Sequence, residues 1–249
     1  MFATRKAITS ALIAPLALAL SACGGGEGGL SGDEIAAIPA PDGSDWLDTV
    51  TTTEEGGYKL GNPDAPINLI EYASHTCPAC ANFAVNGKDN VKEYVSTGVV
   101  SFEQREVLLG FWDLIIAGLS QCGPDTQYQP LSDEVWRNLG EVRAGLGANP
   151  QALQAVESLG PNERYVVAAD AGGLINFFAA RGLSADQARA CLGDGPRMEA
   201  LAESVAAQAA EDEVSGTPTF FLNGNRVNGI SWDDVEAALQ RAGARRPQN

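Results

Sequence analysis

The stretch Ile67-Asn68-Leu69-Ile70-Glu71-Tyr72-Ala73-Ser74-His75-Thr76-Cys77-Pro78-Ala79-Cys80 decides how the rest of the chain is read. Its first six residues are mostly apolar and follow the turn-rich Gly61-Asn62-Pro63-Asp64-Ala65-Pro66, so they read as a buried strand. A loop carries Ser74, His75 and Thr76 into Cys77. Pro78 then stands where a helix tolerates proline, because the missing N–H would have no partner there anyway. Residues 77–95 are predicted helical, with Gly87 weakening the middle. Two cysteines three apart at a helix start can share a disulfide across one turn. Free N–H groups and the positive helix end favour a thiolate at the first. Cys77 is thus the candidate nucleophile and Cys80 the candidate resolving cysteine.

Two other uses of the pair stay open. A zinc knuckle needs about four ligands, and the chain offers one histidine, His75, and no second Cys-x-x-Cys. Iron–sulfur ligation meets the same objection, so neither a metal nor another cofactor is expected. A purely structural disulfide is the second alternative.

Working outward, Val99 to Val107 reads as the next strand. Alanine, leucine and glutamate dominate residues 111 to about 213. Met198, Leu201, Ala202, Val205, Ala206 and Ala209 recur there at helical spacing. Gly123-Pro124, Asn149-Pro150, Gly160-Pro161 and Gly195-Pro196 divide this block into several helices. Strand character returns at Thr219 to Leu222, Asn223-Gly224 marks a hairpin, and Asn225 to Asn228 would be its partner strand. Ser231 and Asp234 form a capping pair that opens a last helix ending near Gly243. Phe111, Trp112, Trp136, Phe177 and Phe178 read as core, with a substrate groove as the alternative.

At the other end, Arg5 and Lys6 precede an apolar run from Ala7 to Leu20, which is short for a membrane span and contains Pro15. This is the pattern of an export signal, expected over residues 1–22. It ends in Leu20-Ser21-Ala22-Cys23. Residues 23–45, rich in Gly, Ser, Asp and Pro, read as a flexible tether, with folded structure beginning near Trp46 and running to the end. The 249 residues are 45% apolar, enough for a sizeable core. Formal charge is −16, from 16 basic and 32 acidic side chains, and no basic stripe is present, which argues against a nucleic-acid partner. Of five cysteines, setting Cys23 aside leaves Cys77, Cys80, Cys122 and Cys191, an even set that permits three pairings.

Three features together carry a family resemblance. Cys77-Pro78-Ala79-Cys80 after an apolar strand, with Gly216-Thr217-Pro218-Thr219 downstream, resembles the thioredoxin superfamily. The long helical block between the two halves is similar to its DsbA-like branch. The resemblance implies an α/β protein, a thioredoxin fold with a helical insertion at about 110–213. It implies a thiol:disulfide oxidoreductase that exchanges disulfides with exported proteins, as oxidase in preference to reductase, with isomerase the remaining direction and disfavoured because no dimerisation domain is visible. The other possibility is a peptide-binding or chaperone module with inert cysteines. By the same resemblance Pro218 is cis and faces the disulfide, with the Thr217 backbone beside Cys77 to pair with an extended substrate. Glu71, six residues before the nucleophile, is the buried acid that assists proton transfer at the resolving cysteine; an exposed edge glutamate is the alternative. His75 is placed near Cys77 and the substrate, or is incidental. Many DsbA-like oxidases have histidine where Ala79 stands, which leaves the direction of electron flow open. The resemblance further implies a Cys122–Cys191 disulfide, against two free thiols. The signal's end resembles a bacterial lipobox, which implies a lipidated Cys23 at the periplasmic face of a membrane and a membrane redox partner. No dimerisation element is visible, and a monomer is expected.

Overall fold

The computed structural model describes residues 32–247, so the expected signal peptide and Cys23 lie outside the described residues. The chain first makes a 3₁₀ turn at Trp46–Asp48 and two short strands, β1 (Val50–Thr52) and β2 (Tyr58–Leu60). The decisive stretch follows as β3 (Ile67–Ala73), α1 (Pro78–Asn86), α2 (Lys88–Ser96) and β4 (Val100–Glu106). The insertion runs from α3 (Phe111–Ser120) and α4 (Asp125–Arg137) through α5 (Leu139–Leu146), α6 (Pro150–Val156) and α7 (Pro161–Ala171). It closes with α8 (Leu174–Ala179), α9 (Ala185–Leu192) and α10 (Gly195–Glu211). The last elements are β5 (Thr219–Leu222), β6 (Asn225–Arg226) and α11 (Trp232–Arg241).

The six strands form one sheet in the order β1-β2-β4-β3-β5-β6. Strands β3 and β4 are parallel, joined by the helical crossover α1–α2, and every other pairing is antiparallel. This is the thioredoxin fold with a helical insertion between β4 and β5. Asn223 (φ 48°) and Gly224 (φ 77°) turn the β5–β6 hairpin, the left-handed pair that such a tight loop needs. Ser231 and Asp234 form a reciprocal capping box on α11.

Three local differences from the sequence reading have physical causes. The helix predicted over 77–95 is two helices, α1 and α2, meeting at Gly87. A β-carbon at Gly87 would sit 2.8 Å from the Phe83 ring, so close packing and the break share one residue. Strands β1 and β2 are three residues each, too short to show a periodicity. The stretch read as a tether to residue 45 is docked over its described part. Ile35 N–H donates to Gly243 O, Ile38 N–H donates to Thr97 O, and Trp46 Nε1 donates to Ile38 O. Gly98 (φ 71°) makes room for this, since a β-carbon there would collide with the Ile38 carbonyl oxygen.

One core lies under the sheet, where Leu69, Phe102 and Phe220 meet Phe83, Val91 and Leu239. A second fills the insertion, around Ile115, Leu131, Phe178, Leu192 and Met198. Between them a small cluster packs Ala73, Cys77, Cys80 and Ala84 against Trp136 and Leu139 of the insertion. The cysteine pair therefore sits where the two halves meet.

Candidate active site

Strand β3 delivers the chain to the loop Ser74-His75-Thr76, and the insertion fixes that loop. The Asp113 carboxylate at the start of α3 accepts from Ser74 Oγ (2.7 Å), Thr76 N–H (2.9 Å) and Thr76 Oγ1 (3.0 Å). Trp136 Nε1 donates to Ser74 O at 3.0 Å. Cys77 then caps α1 in an extended conformation (φ −80°, ψ 121°), with Pro78 in the first turn, so the helix N–H groups face its sulfur.

Both cysteines are free thiols here. Cys77 Sγ is 3.4 Å from Thr217 O, and the Thr217–Pro218 peptide is cis. A hydrogen bond from the Cys80 thiol, joined by one from the Thr217 side chain and by the N–H groups of Ala79 and Cys80, lowers the Cys77 thiol to about 5, although burial opposes the shift. Cys80 is fully buried, and its bond to Cys77, then burial, then the Glu71 charge push its thiol far above the ordinary range. One sulfur is a ready thiolate and the other a proton-bound reserve.

Glu71 sits on the sheet face that carries Ala73 and Gln104, opposite Phe220 of β5. It is fully buried, and neither carboxylate oxygen has a hydrogen-bond partner. Burial raises it to about 7, with Lys88 pulling it down and Asp133 pushing it up. The edge-strand alternative is thus excluded by position. Lys88 Nζ stands 3.8 Å from Glu71 Oε2 and donates to Gln104 Oε1 at 2.6 Å.

His75 requires a correction. The sequence reading puts it beside the substrate, whereas it is fully buried, stacked on Trp136 with ring centroids 5.0 Å apart. Its Nε2 is 3.0 Å from Ser132 Oγ and its Nδ1 is 3.2 Å from Glu106 Oε2. The insertion covers it. Cys122 and Cys191 lie away from the redox pair and are joined in a disulfide inside the insertion.

Of the aromatic residues, Trp136 and Phe178 are core, while Phe111 is 40% exposed. Phe111, Trp112, Leu109 and Arg143 line a pocket of about 350 Å³ that begins at Thr76, next to the nucleophile. Sequence reasoning missed Lys88, Asp113 and Asp133. Lys88-Asp89-Asn90 looks like an exposed helix start, and the two aspartates lie in the insertion, far along the chain from the motif they serve.

A family model described as thioredoxin matches residues 53–241. A Rickettsia bellii protein, provisionally named a protein-disulfide oxidoreductase, is 25% identical over 190 residues, 76% of this chain and 65% of that protein. A similarly named Rickettsia typhi protein is 25% identical over 185 residues, 74% of this chain and 60% of its own. The chain thus spans less than two thirds of the length of these curated relatives. Among solved structures, a protein-disulfide isomerase from Novosphingobium aromaticivorans superimposes with TM-score 0.66 at 26% identity, covering 73% of this chain and 94% of that one. The α-DsbA1 protein of Wolbachia pipientis shares the fold, with TM-score 0.58 at 22% identity over 75% of this chain and 90% of its own.

Proposed function

The chain belongs to the thioredoxin family, and from that premise we propose that it is a thiol–disulfide oxidoreductase acting on protein thiols and disulfides through Cys77 and Cys80. The carrying observation is the asymmetry of the pair: an acidified Cys77 beside the Thr217 backbone, and a buried Cys80 near an ionisable Glu71.

In the oxidising direction the enzyme starts with a Cys77–Cys80 disulfide. A substrate thiolate attacks Cys77 Sγ, the Cys77–Cys80 bond breaks, and Cys80 leaves as a thiolate that takes a proton from Glu71. A second substrate thiolate attacks the substrate sulfur of the mixed disulfide and releases Cys77 as a thiolate. The substrate loses two electrons and gains a disulfide, and the enzyme becomes the dithiol. An extended substrate segment would pair with the Thr217 backbone while its side chains rest on Leu109 and Phe111.

The acidity of Cys77 favours the oxidase over the reductase. A stabilised thiolate makes the dithiol state more favourable, which moves the potential from about −270 mV towards about −120 mV. Measurement against glutathione buffers tests the direction, and a value near the thioredoxin end makes the protein a reductase.

Cys77→Ser should abolish both insulin reduction and reduced-ribonuclease oxidation, whereas Cys80→Ser should accumulate mixed disulfides with substrate. If Cys77→Ser leaves both rates at the wild-type level, the enzyme reading is lost and a peptide-holding role takes its place. The signal-like start and lipobox support export, a lipid anchor at Cys23 on the periplasmic face and a membrane redox partner. Metabolic labelling with a fatty acid, abolished by Cys23→Ser, tests the anchor.

A further inference from the structure

Beneath the cysteines, two buried carboxylates face one buried ammonium. Lys88 is 2% exposed; its Nζ lies 3.0 Å from Asp133 Oδ1 and 3.8 Å from Glu71 Oε2, and sits 4.0 Å above the Trp136 ring. Gln104 Oε1 accepts from it at 2.6 Å, and Gln104 is in turn held by Tyr128, whose hydroxyl donates to Glu106 at 2.7 Å. The ammonium is therefore pinned from the side of β4 and α4.

Asp133 has a second cation, because Lys92 Nζ reaches its Oδ2 at 3.2 Å from the solvent side. Glu71 has only the more distant share of Lys88. Coulomb attraction falls with distance, and in a water-poor site the difference is large. Burial would push Asp133 up, but Lys88 and Lys92 hold it below the usual carboxylate range, while Glu71 is raised. Burial is the largest cause of the rise at Glu71 and the Asp133 charge adds to it, so of the two carboxyls Glu71 is the one that takes up a proton, while two lysines keep Asp133 ionised.

We propose that Asp133, on the insertion helix α4, is a positioning residue for proton transfer at Cys80: it draws the Lys88 ammonium towards itself and away from Glu71, leaving the Glu71 carboxyl free to exchange a proton with Cys80. The inference rests on the exchange reading given above. The proton then has a use in both directions. The Glu71 carboxylic acid gives it to the departing Cys80 thiolate, and the Glu71 carboxylate takes it back when the Cys80 thiol attacks a mixed disulfide. The charged and titratable groups around Glu71 are Cys80 from α1, Lys88 from α2, Asp133 from α4 and His75 from the loop, with Glu106 behind the histidine. Around Asp133 they are Lys88, Lys92 and Glu71.

The test reads Glu71 itself, by infrared or carbon-13 titration of its buried carboxyl, identified as the signal absent from Glu71→Gln. Asp133→Asn should lower its midpoint by about one pH unit or more, since one opposing charge is lost and Lys88 is released to Glu71. Asp133→Glu should restore most of the wild-type midpoint. The pH profile for resolution of the mixed disulfide by Cys80 should shift by the same amount in the same direction. If Asp133→Asn does not fold, Asp133→Ser makes the same measurement with water in the vacated space. A folded variant whose Glu71 midpoint stays put overturns the inference, whatever its activity. A shifted midpoint in a protein that exchanges no disulfides instead overturns the function and leaves the charge arrangement standing.

Discussion

Glu71 is where burial, charge and chemistry meet in a single side chain. Its folded-state value lies near 7, against 4.5 for an unburied carboxyl, with burial the largest cause. The unfolded chain loses this proton first, so folding binds a proton in the interval between the two values. Stability supplied by the protonated form is complete below about pH 4.5 and is lost as pH rises towards 7. At about 1.4 kcal/mol per pH unit the full loss is a little over about 3 kcal/mol, of which about 3 kcal/mol has gone by pH 7. Glu71→Gln cannot ionise and should escape it. Its stability relative to wild type should therefore rise by about 3 kcal/mol between pH 4.5 and 7 and stay level beyond, as urea unfolding at a series of pH values would measure. A constant difference across that range would mean that Glu71 titrates normally. At this scale Cys77, Cys80 and Glu71 were legible because they lie within ten residues of each other and share one motif. Lys88 and Asp133 were not, since a charged residue on a helix is ordinarily solvated. Only the break at Gly87 and the arrival of α4 turn these two inward.

Among the elements, those with local chemical signals were readable and those held by distant contacts were not. Asn223-Gly224 and the Ser231–Asp234 cap declare themselves in two to four residues. By contrast, β2 exists because β4 offers it an edge and β1 because β2 does, and residues 33–38 are fixed by partners some sixty or more positions away. The insertion has its own device. The Cys122–Cys191 disulfide ties the segment after α3 to α9 across 69 residues, with Met198 and Leu192 packed against Gly118 nearby. Closing a loop of that length in the unfolded chain gives about 4 kcal/mol in the chain-entropy account. Cys122→Ala with Cys191→Ala should reduce unfolding free energy by up to about that amount. Because the pair lies in the insertion core and not in the redox cluster, the glutathione potential of Cys77 and Cys80 should move little. A denaturation curve and a potential measured on the same double variant separate the two effects. A large change in potential would show that the insertion disulfide is coupled to catalysis.

For the whole molecule, the direction of β3 relates the redox site to the point where the chain enters the domain. Cys77 follows the C-terminal end of β3, whereas Ile38 is bonded to Thr97, just before β4 begins alongside the N-terminal end of β3. Seven residues of strand separate those ends, about 20 Å. Arg245 Nη2 donates to Gly32 O, so the C-terminal arm clamps the entering chain at this far side. From Gly32 back to Cys23, the chain can span at most about 30 Å when fully extended. A lipid on the proposed anchor residue would accordingly hold the domain close to the bilayer with the dithiol facing outward, open to soluble protein substrates. On vesicles, a bulky maleimide that cannot cross the membrane should modify Cys77 of the lipidated protein as fast, within about twofold, as it modifies the Cys23→Ser protein in solution. Protection of Cys77 by tenfold or more would place the dithiol against the lipid. The segment docked at residues 32–38 would then have to release when the anchor engages.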